Sequence, residues 1–144
     1  MNNDEQEQYI AKIEHTKNLV ISSFFFIVPS IYAWYYNANK YSILLLLTTL
    51  ISANYWRKAT YSWRRNADLF FSKISFAIFF CNGVVYVRQI QYQMVGYIGV
   101  VGVMYCYYQS ASLLAKKNNN WWKYHFVFHL LVMIEQMIVL RHIV

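Results

Sequence analysis

The feature that most limits what this chain can fold into is its succession of long apolar segments separated by short polar breaks. Reading for such segments gives candidate spans at about 18–36, 41–56, 68–87, 93–115 and 121–140, each near the roughly 20 residues that a helix needs to cross a bilayer. Charged residues are 13% of the 144, against 58% hydrophobic, and soluble domains usually carry roughly 25% charged. The expected fold is therefore all-α. It is a polytopic transmembrane helix bundle of about five spans over residues 18–144, preceded by an acidic and polar tail over residues 1–17. The second span is the shortest. At about 1.5 Å per residue it reaches some 24 Å, so it relies on snorkelling of Arg57 and Lys58 or on local thinning of the bilayer.

The connections "NANK", "RKATYSWRRNA", "RQIQYQ" and "KKNNN" are short enough to make successive helices antiparallel neighbours. Their charges give an independent check, because short cytoplasmic loops retain more Lys and Arg than exported ones. Lys12 and Lys17 precede span one, Arg57, Lys58, Arg64 and Arg65 lie between spans two and three, and Lys116, Lys117 and Lys123 lie before or at the start of span five. On the other side stand only Lys40, Arg88 and Arg141, with Lys73 inside span three. This alternation fits five spans with a cytoplasmic N-terminus. Aromatic residues mark the same boundaries: Trp34, Tyr35, Tyr36, Tyr55, Trp56, Trp121 and Trp122 read as anchors at the headgroup level.

Other classes fit less well. The net charge of +7 would suit nucleic acid, but the basic residues punctuate apolar segments and form no stripe. No nucleic-acid partner is expected; membrane lipid and other membrane subunits are. Cys81 and Cys106 both lie inside apolar runs and offer neither a disulfide framework nor a zinc knuckle. Asp4, Glu5, Glu7 and Glu14 stand where a cleavable signal would carry basic residues.

An ionisable group within a span needs a partner, an aqueous cavity or an interfacial position. The chain has few: Asp68 at the start of span three, Lys73 one turn deeper, His125 and His129 at the start of span five, and Glu135 beyond them. His125 and His129 are an i, i+4 pair and share one helix face. Ser52 lies near the end of span two, four residues before Trp56. Because spans three and five begin where span two ends, Ser52, Asp68, His125 and His129 belong to one leaflet. Glu135 is expected to tie to Lys73 across the bundle.

These residues resemble a known pattern. A Ser-x3-His at the end of the second core helix, an Asp opening the next, and a His-x3-His opening the last helix mark the superfamily of alkaline ceramidases, adiponectin-type receptors and related glycolipid-anchor-remodelling proteins. Here Ser52, Asp68 and the histidines of "HFVFH" match those positions. The resemblance implies a membrane hydrolase of lipid amides or esters, with zinc as its cofactor. His125, His129 and Asp68 would be the metal ligands and a water the fourth, while Ser52 would steady an oxyanion. The chain also departs from the pattern. Trp56 stands where the family has its third zinc-binding histidine, and an indole cannot coordinate zinc. Only one span separates the Asp helix from the last one, where the family has three.

A second reading of the same residues needs no metal. Asp68 would cap span three at its N-terminus, His125 and His129 would be structural hydrogen-bonding groups, and Ser52 would bond its own helix backbone. The chain would then be a structural or accessory membrane protein.

Overall fold

The computed structural model describes residues 9–144; Asp4, Glu5 and Glu7 of the acidic tail lie outside the described residues. Six α-helices follow one another: α1 (Ile13–Ser23), α2 (Ile27–Tyr35), α3 (Asn39–Arg57), α4 (Trp63–Tyr86), α5 (Ile90–Ala115) and α6 (Trp121–Ile143). A single 3-10 turn, Phe24–Phe26, joins α1 to α2, so the two form one broken rod. Four rods are long and apolar enough to cross a bilayer: Ile13–Tyr35, Trp63–Tyr86, Ile90–Ala115 and Trp121–Ile143. The chain is thus a small multi-pass membrane protein. The expected second span is present as the helix α3, but it is not among those four. Thr48, Thr49, Ser52 and Asn54 lower its apolar character.

The break in the first rod has a local cause. Pro29 lacks an N–H, and its ring crowds the carbonyl four residues back, so the preceding turn tightens into 3-10 geometry. Just before that turn, Ser22 and Ser23 both direct their hydroxyls at the Leu19 carbonyl, at 3.2 and 2.8 Å. Such back-bonding bends helices. Ser22 and Ser23 are both wholly buried.

Each helix has polar or small residues on its buried face, as packing in a bilayer favours, since lipid tails are as apolar as Leu and give apolar faces no reason to leave them. The buried residues of α3 are Leu45, Thr48, Thr49, Ser52, Tyr55 and Trp56, those of α4 are Asp68, Ser75 and Phe79, and those of α6 include His129 and Gln136. On the first rod, Thr16, Ser23 and Ser30 recur every seven residues and are all buried. The rod α1–α2, α3, α4 and α6 pack in a closed ring in that order, and α5 lies outside it, mainly against α6.

Two apolar clusters close the ends of the ring. One joins Leu19, Tyr55, Trp56, Ala59 and Trp121, with Ile10 and Leu113 against it. It is reinforced by the extended segment before α1, where the Ile10 amide bonds the Ala59 carbonyl at 2.8 Å and Tyr9 bridges Thr60. The other cluster joins Ala33, Leu45, Phe79, Val87, Val139 and Leu140. We call these the near and far ends. Between them lies a polar layer.

Several sequence expectations change here. Trp34, Tyr35 and Tyr36 are exposed at the end of the first rod, but Tyr55, Trp56 and Trp121, expected as headgroup anchors, are buried in the near-end cluster. Their rings seal the polar layer from the near face. α4 begins five residues before Asp68, with Ser62 at its N-cap position, so Asp68 is inside the helix and caps nothing. The loop before it is shorter than its polarity suggests, because Trp63, Arg64, Arg65 and Asn66 join the helix. No ion pair links Glu135 to Lys73 among the described residues. Lys73 is exposed on α4, while the Glu135 carboxylate lies on α5, where a Cβ at Gly99 would collide with it. Gly99 is small so that α5 can approach α6 with that side chain between them.

Candidate functional site

The polar layer draws one or more groups from each rod, and helix direction fixes their level. At about 1.5 Å per residue, Ser52, Asp68, His125 and Ser110 lie about 6–8 Å from the near ends of their helices, and His129 and Ser22 about 12–14 Å. Ser52, Asp68, His125 and His129 thus lie toward the same end of the bundle.

The hydrogen bonds form two linked sets. Ser52 donates to the carboxylate of Asp68, joining α3 to α4, and Ser23 Oγ lies 3.1 Å from Ser52 Oγ, joining α1 to both. Ser23 has one proton and also faces the Leu19 carbonyl at 2.8 Å, so it serves one of the two at a time. Ser52 therefore bonds across helices and not to its own backbone. Asp68 is 8% exposed, and its Oδ1 has no hydrogen-bond partner. A half-satisfied buried carboxyl is costly, which makes the Ser52 bond matter more than a neutral pair would.

The second set holds the histidines. Ser22 Oγ lies 2.7 Å from His129 Nδ1, and Ser110 Oγ lies 3.2 Å from His125 Nδ1. Each imidazole is thus oriented by a serine of another helix, α1 for His129 and α5 for His125. The two rings meet edge to face with centroids 4.9 Å apart. Phe26 packs on His129 at 5.3 Å. Ser22 and Ser23 are neighbours in the chain, so α1 couples the histidine set to the Ser52–Asp68 set.

Trp56 completes the enclosure. Its indole lies 4.8 Å from the ring of His125 and 5.8 Å from that of Trp121. Trp56 is therefore beside His125, but it presents a ring with no lone pair to offer a metal. A catalytic zinc takes three protein ligands and keeps a fourth place open. Two imidazoles supply two, and Asp68 belongs to the Ser52 set. Among the described residues, no three His, Cys, Asp or Glu side chains are grouped to hold a metal ion. The set His125, His129 and Asp68 is thus brought into one layer but not around one point, and it does not fit the zinc that the resemblance implies.

Four participants escaped sequence reading: Ser22, Ser23, Ser75 and Ser110. Ser75 meets Gln136 deeper in the bundle, where Gln136 Nε2 donates to Ser75 Oγ at 3.3 Å and Gln136 Oε1 is left without a partner. Serine is nearly neutral in hydropathy and common in membrane helices, so composition does not flag it. Spacing does: Thr16, Ser23 and Ser30, or Asp68 and Ser75, each seven apart, trace the inward stripe. Compared with family models, with curated proteins and with solved structures, the chain has no match.

Proposed function

We propose that this chain is a non-enzymatic multi-pass membrane protein, structural or accessory, and a degenerate five-span relative of the ceramidase and receptor superfamily. Its partners are membrane lipid and other membrane subunits. The observation that carries the reading is Trp56: beside His125, where a third ligand would stand, the chain has an indole, which offers a metal no lone pair. The polar layer then serves to fix helix positions. Interhelical hydrogen bonds in membranes average only about 0.6 kcal/mol each, but they specify which faces meet where apolar packing alone would not. α3 is the fifth crossing, with its polar face covered by the rods around it, and the N-terminus is cytoplasmic. Reporter fusions at Lys40 and Arg88 should then sit on the exported side and fusions after Ser62 and Asn118 on the cytoplasmic side; two loops on the wrong side would refute this topology.

One observation favours the alternative, a zinc-dependent hydrolase of lipid amides or esters. Nδ1 of both histidines faces serine, so Nε2 of each is the nitrogen left over, and metal-bound histidines are commonly held by a bond at the other nitrogen in this way. The readings part in an assay. Purified protein given amide-linked and ester-linked fluorogenic lipids should release no more product than the His125→Ala/His129→Ala double variant. Turnover that this variant abolishes would establish the hydrolase.

A further inference from the structure

Among the described residues, two charged groups lie in the middle stretches of the membrane helices outside the polar layer, Lys73 of α4 and Glu135 of α6, and they have opposite sign. Lys73 is exposed in the middle of α4, on the face that continues through Phe76, Phe80 and Val84 at spacings of three and four. Those three residues wall a cleft of about 80 Å³ between α4, α5 and α6, with Glu135 and Gln136 on its inner side. α4 and α5 touch only sparingly, so the cleft opens outward between them. Gln136 is 2% exposed, and its Oε1 lacks a partner. The Glu135 carboxylate has no cation beside it among the described residues. An isolated charge in a membrane helix is costly on either side of such a pair.

We propose that α4 and α5 dock against a second copy of this chain, with Lys73 of each copy entering the cleft of the other to meet Glu135. The arrangement is isologous: the residue that one copy gives is the residue that it receives, so a two-fold axis along the bundle forms both pairs at once. The levels agree. Lys73 is about 15 Å from the near end of α4 and Glu135 about 21 Å from the near end of α6 at 1.5 Å per residue, and the long lysine stem covers the difference. The stem passes between the apolar walls, and its ammonium finds two acceptors, the Glu135 carboxylate and Gln136 Oε1. The site is incomplete without the second copy.

Charge reversal tests this directly. In a mild non-ionic detergent, the wild-type protein should have the mass of two chains by light scattering, and Lys73→Glu or Glu135→Lys alone should weaken the dimer at least tenfold. Next, the two variants are co-expressed with different tags. The Lys73→Glu chain offers only carboxylates and the Glu135→Lys chain only ammonium groups, so the mixed pair alone is complementary. It should co-purify as strongly as tagged wild-type copies do, and its recovery would show that both variant chains fold. A wild-type protein that stays monomeric as its concentration is raised would overturn the proposal. So would a mixed pair no stronger than either variant with itself, the result expected of a lysine that merely snorkels to the interface.

Discussion

His129→Ala is expected to destabilise the bundle by about 3 kcal/mol, as large-to-alanine changes at packed sites do. The ring is 3% exposed, packs against Phe26, Phe128 and His125, and holds the 2.7 Å bond to Ser22. His125→Ala should cost less, about 1–2 kcal/mol, since His125 is only partly buried and its bond to Ser110 is longer, at 3.2 Å. The inequality is the informative part. Ligands of one shared metal would fall together, and either single variant would match the double. Unfolding titrations with SDS in mixed micelles measure all three, and equal losses would contradict a structural role.

Trp56→Ala is expected to cost about 3–5 kcal/mol. The indole is 4% exposed and holds Tyr55, Trp121 and His125 around it, so its removal opens the polar layer to the near face. Trp56→Phe should cost about 1 kcal/mol or less, in the range of volume-tolerant core swaps. The indole Nε1 has no hydrogen-bond partner, and phenylalanine removes that unpaired donor while keeping most of the ring. A Trp56→Phe loss as large as that of alanine would show that the N–H has a partner and that ring packing is not what the position supplies. The same SDS titration reads both.

Much of this arrangement is legible in the sequence, and particular residues show where legibility stops. Hydropathy locates the rods because a lipid-facing helix must be apolar over its whole length, and Trp34 and Tyr35 are exposed at the end of the first rod. Trp56 carries the same signal and is buried, since a headgroup anchor and a plug at a bundle end have the same chemistry and differ only in which way the helix is turned. Asp68 stands out because a carboxylate is rare in a span; its place inside α4 does not, because "SWRRN" reads as loop by polarity while residues 63–66 extend the helix. The linkage of His129 to Ser22 joins positions 107 residues apart. Only packing brings them together, and no local pattern announces it.

The same limit applies to the likeness to ceramidases. Ser52, Asp68, His125 and His129 lie toward one end of the bundle, and Trp56 lies beside His125. Two things separate this layer from a zinc site: Asp68 does not converge with the two histidines on one point, and the ring beside His125 is an indole. Changing one residue should test that separation.

The most direct measurement is therefore the zinc content of the purified protein, read by elemental mass spectrometry for wild type and for Trp56→His after exposure to micromolar zinc. The account predicts no stoichiometric zinc in wild type and a gain towards one ion per chain in Trp56→His, lost again when His129→Ala is added. One zinc per wild-type chain that disappears in His125→Ala and His129→Ala would contradict it.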